Sequence, residues 1–349
     1  MAAEVATLFE QAAASRHAGQ RLALATVIKT WGSSPRPPGS QLLMSFDAAG
    51  GTDQDQTPAL VGSVSGGCIE GAVITAAAEI LDDPEKKPRL LEFGVTHDMA
   101  WSVGLSCGGT VQVFVEALSD ATLALFATIH ERLAERQASA LVTDLATGEK
   151  RLGTAEDAAD ANSPVAQAIA SERAQIIDAE SGPGRFVQPF CPSPRLIVVG
   201  AVHIAQALCQ LAAIAGFDVA IIDPRTTFAT LERFPGVQLY PVWPAEALAE
   251  LGIDARTAVV TLTHDPKLDD PALQAALRSP AFYVGSLGSG KTHAARLNRL
   301  RSRGFEDADL GRIHGPVGLR IGARSPSEIA VSILAQLVSV LRGSDKEKD

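Results

Sequence analysis

Two cysteines of this 349-residue chain stand among glycines. In "GSVSGGCIEGAV", Ser65, Gly66 and Gly67 precede Cys68 at the step from a strand to a helix; in "GLSCGGTVQVFVE", Cys107 is followed by Gly108, Gly109 and a strand. Backbone N–H groups of such turns form an anion nest, and a helix N-terminus favours the thiolate. Two glycine-flanked cysteines in one domain suit a soft metal ligand or a nucleophile working beside an anionic group. His97 and Asp98 precede Cys107, but nearness in sequence does not by itself make a Cys-His dyad. Cys209, inside an apolar helix, and Cys191, in a Pro-rich stretch, read as structural.

A second set lies downstream. Strand "RLIVVGA" runs into "GAVHIAQALCQLAAIAG", and Asp223 closes the next strand. That layout is the dinucleotide fingerprint, in which a helix N-terminus meets the pyrophosphate and the acid meets a ribose hydroxyl. Val202 and Ala205 replace its second and third glycines, and a Val side chain lies where the backbone must approach the pyrophosphate. A Rossmann fold with a different ligand, or none, is therefore preferred over NAD(P) binding. His203, in the first turn of that helix, is either a ligand contact or a plain polar residue. His264 and Asp265 end another strand in "TLTHDPKLDDPAL", where the pair serves proton chemistry or ligand contact, or Asp265 only caps the turn at Pro266. "VGSLGSGKTHAARL" matches the P-loop pattern through Gly285, Gly290, Lys291 and Thr292. Its strand is the fifth of its domain, whereas a P-loop opens its fold, and the acids available for Mg²⁺, Asp223 and Asp265, have other readings. The stretch reads as a glycine-rich turn at the carboxyl edge of a sheet, still able to receive phosphate.

The elements that must position these residues fall into two halves. "GPGRFVQPFCPSPRL" interrupts both helix and strand patterns, so the domain boundary is expected there: an N-terminal α+β domain over 1–185, a second domain over 195–343 and a disordered tail over 344–349. In the second half, apolar β-branched strands alternate with amphipathic helices, which predicts a Rossmann-like parallel sheet with helices on both faces. Helices are expected at "PAEALAELG", at "DPALQAALRS" and after Lys291, and Ser325 with Glu328 forms a capping box before a closing helix. The first half carries candidate strands "LALATVIKTW", "QLLMSF", "ALVGSV", "RLLEFGV" and "TVQVFVEA", with incomplete alternation, and helices at "GCIEGAVITAAAEIL" and "ATLALFATIHERLAERQ". "ALVTDLATGEKRLGT" reads as a hairpin turning at Thr147 and Gly148.

A net charge of −10 with 46% hydrophobic residues gives no general attraction to nucleic acid or anionic lipid, so an anionic ligand needs a local site. No apolar run reaches the roughly 18 residues of a membrane span, and no signal peptide is readable, which points to the cytoplasm. The four cysteines show no C-x-x-C pair, so a zinc site or disulfide framework is not expected.

"GSVSGGCIEG", "GLSCGGTVQVFVE", "GAVHIAQAL", "IIDPR", "LTHDPKLDDPAL", "YVGSLGS" and "SPSEIAVSILA", in this order, resemble the XdhC/CoxI family. The resemblance implies an accessory factor for molybdenum hydroxylases such as xanthine dehydrogenase and carbon monoxide dehydrogenase. Such a factor binds molybdenum cofactor, protects it while a terminal oxo ligand is exchanged for sulfido, and delivers it to the apo-enzyme. It implies a chaperone rather than a turnover enzyme, a homodimer, and a cysteine desulfurase or sulfurtransferase as second partner. On this reading Cys107, and secondarily Cys68, faces the molybdenum, while the glycine turns hold the phosphate end. Arg225 in "IIDPR", with Gly200, His203, Asp223, His264, Asp265, Gly285 and Ser286, joins the candidate cofactor contacts. The cofactor is molybdopterin or its dinucleotide form. This chain has Gly200-Ala201-Val202 where many relatives carry G-x-G, and Gly290-Lys291 where relatives often carry Arg, so the P-loop match reads as accidental. The alternatives are an NAD(P)-dependent oxidoreductase using the Rossmann domain, an ATPase or kinase using the stretch that matches the P-loop, and a non-catalytic adaptor bridging sulfurtransferase and hydroxylase.

Overall fold

The computed structural model describes residues 2–32, 36–47, 57–94 and 109–343. The chain divides into two compact units, Met1–Pro192 and Ser193–Asp349.

The first unit begins with α1 (Ala2–His17), β1 (Arg21–Trp31), β2 (Gln41–Phe46), β3 (Ala59–Gly62), α2 (Glu70–Asp82), β4 (Arg89–Gly94), β5 (Thr110–Ala117) and α3 (Asp120–Ala134). Among the described residues these strands form an antiparallel sheet in the order β3-β2-β1-β5-β4. The incomplete alternation of β1 has a simple cause, because the sheet is covered on both faces. Ala23, Ala25 and Val27 pack with Val73, Ala77 and Ile80 of α2. Leu22 and Leu24 point the other way, onto Leu8, Phe9 and Ala12 of α1 and Phe126 and Ile129 of α3. Each large aliphatic side chain buried in this way contributes about 1.5–3 kcal/mol.

The unit continues with β6 (Ser139–Asp144), β7 (Lys150–Leu152), α4 (Ala155–Ala159), α5 (Pro164–Ser171), β8 (Gln175–Ile177) and β9 (Arg185–Phe190), giving a second antiparallel sheet ordered β7-β6-β9-β8. The expected hairpin is present: Thr143 pairs with Lys150, Gly148 has φ +79°, and Asp144 Oδ1 accepts the N–H groups of Ala146 and Thr147 at 2.9 Å each. The Pro/Gly-rich stretch read as a break is corrected over its middle, because β9 lies inside it and pairs with both β6 and β8. Pro189 is tolerated there because β8 pairs only with Arg185–Val187. The missing N–H falls on the side where that ladder has ended.

The second unit runs β10 (Arg195–Val199), α6 (His203–Ile214), β11 (Asp218–Ile222), β12 (Gln238–Tyr240), α7 (Pro244–Leu251), β13 (Thr257–Thr261), α8 (Pro266–Leu277), β14 (Tyr283–Ser286), α9 (Gly290–Arg301), α10 (Asp307–Leu310), β15 (Ile313–His314) and α11 (Pro326–Arg342). Among the described residues its six strands are all parallel, in the order β12-β11-β10-β13-β14-β15. Numbered within the unit, this is 3-2-1-4-5-6, the Rossmann arrangement. Leu196 and Val198 of β10 face Leu208 and Ala212 of α6 and Ile333 of α11. Ile197 and Val199 face Leu248 of α7, Leu273 of α8 and Leu300 of α9. Helices therefore cover both faces, as expected, and α11 carries its capping box. One boundary is corrected: α8 starts at Pro266, not at Asp270, because Asp265 caps it and Pro266 takes the first helical position, where no N–H is needed. Among the described residues no helix is long and apolar enough to cross a membrane.

Candidate functional site

Of the two cysteine loops, the one around Cys68 is described; Cys107 and Gly108, with His97 and Asp98, lie outside the described residues, and Gly109 is buried just before β5. Gly66 and Gly67 take φ +79° and +121°, conformations natural to glycine, and fold the backbone into the expected nest. Its occupant is the chain's own Glu70, the first residue of α2. Glu70 Oε1 accepts from Ser63 Oγ at 2.8 Å, Val64 N at 3.3 Å and Ser65 N at 3.0 Å; Oε2 accepts from Gly67 N at 2.9 Å and from Ser65 Oγ. Ser65 Oγ accepts the N–H groups of Cys68 and Ile69 at 3.1 Å each, and Gly66 N donates to Ser63 Oγ at 2.8 Å. Burial raises the Glu70 pKa, but these hydrogen bonds outweigh it and bring it to about 2. In this structure, then, the N–H groups of Ser65 and Gly67 are taken by Glu70 and that of Gly66 by Ser63 Oγ. Cys68 lies two residues before α2, half-buried, against the core that includes Val64, Ile69 and Val73.

In the second unit the candidate residues follow the carboxyl ends of the parallel strands, beside the point between β10 and β13 where the strand order reverses. Open α/β sheets take their ligands there. Gly200 has φ +113°, and a Cβ on it would meet Thr263 Cγ2 at 2.5 Å, so the neighbouring turn also requires glycine. Asp223 is fully buried. Its Oδ1 accepts Arg225 N at 3.0 Å and Arg225 Nε at 2.8 Å; its Oδ2 accepts Ala201 N at 2.8 Å and Arg225 Nη2 at 2.7 Å. Burial acts to raise its pKa, but these bonds and the Arg225 charge hold it below the usual carboxylate value. The expected ribose acid is therefore an internal clamp joining the Gly200 turn to Arg225. Arg225 remains 42% exposed and lies 4.6 Å from the Phe228 ring centroid.

Asp265 accepts Lys267 N at 2.9 Å as the cap of α8, the plainer of its two readings. His264 is exposed and held at φ +63°. Gly285 and Ser286 sit behind the edge, buried in β14: a Cβ on Gly285 would meet Tyr283 and Val317 at 2.7 Å, and Ser286 Oγ lies 2.5 Å from Thr261 Oγ1. Exposed along this edge, among the described residues, are His203, Arg225, His264, Asp265 and, in the turn entering α9, Ser289, Gly290 and Lys291. No three His, Cys, Asp or Glu side chains gather as a metal site among the described residues.

Two sequence profiles of one family match this chain: "XdhC and CoxI family" over residues 15–94 and "XdhC Rossmann domain" over residues 196–337. The chain belongs to the XdhC/CoxI family. It is 29% identical to the "Molybdenum cofactor insertion chaperone PaoD" of Escherichia coli, across 96% of this chain and 88% of that protein. It is 28% identical to a Bacillus subtilis protein named as a probable xanthine dehydrogenase subunit, across 90% of this chain and 92% of that one. Among solved structures it resembles a Bacillus halodurans protein described as a xanthine dehydrogenase, with 26% identity, 98% of both chains covered and a TM-score of 0.74.

Within the XdhC Rossmann match, one group went unnoticed in the sequence. Arg296 of α9 is only 1% exposed. Its Nη2 donates to Leu287 O at 2.8 Å, and Asp269 Oδ2 is 3.8 Å away, while Asp269 Oδ1 accepts from Thr263 Oγ1 at 2.6 Å. Arg296 Nε and Nη1, and Nδ1 of His293 one turn earlier, have no hydrogen-bond partner among the described residues. Burial lowers the pKa of Arg296 and of His293 and raises that of Asp269. The available signal was the register: Arg296 stands four residues before Leu300, on the buried stripe of its helix.

Proposed function

We propose that this chain is an accessory factor that binds molybdenum cofactor, supports exchange of its terminal oxo for a sulfido ligand, and hands it to an apo molybdenum hydroxylase of the xanthine dehydrogenase or carbon monoxide dehydrogenase type. The observation that carries this reading is the likeness, through both units, to a protein named as a molybdenum cofactor insertion chaperone. The cargo is a pterin ending in a phosphate or a nucleotide and carrying a dithiolene-bound metal. A carrier for it needs donors and positive charge for one end and a soft, shielded surface for the other. The exposed Arg225, His203 and His264 along the Rossmann edge suit the first need. A thiol suits the second, and Cys107 with Cys68 is assigned to it. The remaining partners in this reading are a sulfurtransferase or cysteine desulfurase and a second copy of the chain, in the cytoplasm. An NAD(P) oxidoreductase has less support, since the acid for the ribose is engaged by Arg225 and Ala201.

The test is molybdenum and pterin analysis of the full chain purified from a molybdate-replete host. Wild type is expected to carry both, and Cys107→Ala to lose most of its molybdenum. Wild-type protein devoid of pterin, yet stabilised against heat by NADH, would replace this reading with the oxidoreductase. Unchanged molybdenum in Cys107→Ala would remove that thiol from the site.

A further inference from the structure

Buried polar groups are nearly always paired, and an unpaired buried guanidinium is among the most unfavourable exceptions. Arg296 of helix α9 is such a group in part: Nη2 is bonded to Leu287 O, while its Nε and Nη1, and Nδ1 of His293, lack hydrogen-bond partners among the described residues. The nearest carboxylate gives Arg296 a long ion pair and no hydrogen bond: Asp269 Oδ2 is 3.8 Å from Nη2, and the other oxygen of that carboxylate receives Thr263 Oγ1. The guanidinium lies directly beneath the turn that feeds the helix. Its Nη2 holds Leu287 O at 2.8 Å, and a Cβ placed on Gly288 would stand 3.7 Å from it. Gly288 has φ +145°, and a side chain there would also press on Thr292 at 3.1 Å, so the turn needs glycine and puts no side chain at this position.

On the outer side of the turn, Ser289 Oγ accepts Thr292 N at 3.2 Å and Ser289 O accepts His293 N at 2.8 Å. The N–H groups of Gly290 and Lys291 stand at the first two positions of a 12-residue helix, ahead of any intrahelical acceptor, and the Ser289 cap takes Thr292 N instead. Leu287 and Gly288 are half-buried and Ser289, Gly290 and Lys291 exposed, so the cover above the guanidinium is thin. A helix N-terminus with open N–H groups favours anions, and a guanidinium pairs well with phosphoryl oxygens.

We propose that the Gly288–Thr292 turn, with Arg296 beneath it, is a binding site for a phosphoryl oxyanion, whose oxygens take the N–H groups of Gly290 and Lys291 while the guanidinium supplies the counter-charge from the core side. Nucleotide hydrolysis is no part of this. The two acids open to Mg²⁺ on the P-loop reading, Asp223 and Asp265, are engaged by Arg225 with Ala201 and by Lys267 N. The inference goes beyond the cargo reading and stands apart from it: the site holds a phosphoryl group whether or not the chain carries a pterin.

Calorimetric titration of the full chain with glycerol phosphate and with inorganic phosphate, each against chloride at matched ionic strength, tests it. Wild type is expected to bind saturably, with the monoester tighter if the phosphoryl belongs to a larger ligand and inorganic phosphate tighter if the free ion is the occupant. Arg296→Met should weaken binding at least ~10-fold. Gly290→Pro removes one docking N–H at a position where helices accept proline, after a Ser289 already extended at φ −76° and ψ 165°, so it tests the site if Arg296→Met fails to fold. A roughly 3- to 10-fold loss is expected from it. Saturable binding unchanged in Gly290→Pro and in a folded Arg296→Met, or no wild-type response beyond the chloride control, overturns the proposal.

Discussion

The turns Ser65-Gly66-Gly67-Cys68 and Gly288-Ser289-Gly290-Lys291 are built alike, from small residues and glycine leading into a helix, yet they end in opposite states. In the first, the Glu70 carboxylate folds back and takes the N–H groups of Val64, Ser65 and Gly67. In the second, the side-chain acceptor is a neutral hydroxyl, Ser289 Oγ, which takes one backbone N–H, that of Thr292, and pairs with Thr292 Oγ1. The Gly200 turn belongs with the first, since Asp223 accepts Ala201 N. Glycine content thus makes a nest possible, while a carboxylate within reach decides whether it is still open to a ligand.

If the filled turns are structural, removing their carboxylates must cost stability, and the largest effect is expected at Asp223. Asp223→Ala strips the Ala201 N–H and the Arg225 guanidinium of their acceptor inside the fold. Because Arg225 is partly exposed, the loss should be about 3 kcal/mol, read as a melting temperature lower by roughly 6–12 °C. A shift of under about 2 °C would mean that Asp223 is free for a ligand after all, and would break the comparison.

Glu70→Gln comes next, at about 1–2 kcal/mol near pH 7 once solvent screening is allowed for. Its sign is fixed by the depressed acidity. The folded-state value of about 2 lies below the ordinary 4.5, so the stabilisation is complete above pH 4.5 and is lost as pH falls from there towards 2. Wild type should therefore lose stability over that window more steeply than Glu70→Gln, and parallel acid-unfolding curves would show that the carboxylate does not hold the turn.

How much of this was legible depended on how local each cause was. The alternation of β10 to β14 with their helices, the capping box at Ser325 and the hairpin at Thr147 and Gly148 each depend on residues close in sequence, and all are present. The strand β9 was hidden because Pro189 and the flanking glycines signal a break, and only pairing with β6, distant in sequence, overrides them. Gly285 and Ser286 matched a ligand-binding pattern, but their burial follows from how far β14 extends. Glu70 was visible two residues after Cys68, and what could not be read was the direction of its side chain, set by Ser63 and Ser65. Arg296 left a trace, a cation in an apolar register, that reasoning from glycine motifs does not weigh.

The smallest effect sharpens the comparison from the open side. Ser289→Ala removes the cap of α9, which releases Thr292 N and should cost about 1 kcal/mol, as neutral caps do. It deletes no charge and unpairs no buried cation, because Arg296 is held through Leu287 O and not through Ser289. Thermal unfolding should therefore place Ser289→Ala well above Asp223→Ala. Its phosphate response should persist, since Gly290 and Lys291 keep their N–H groups and Thr292 gains a free one. A Ser289→Ala variant as unstable as Asp223→Ala would mean that the α9 turn is also held shut by its own chain, and the distinction between filled and open turns would disappear.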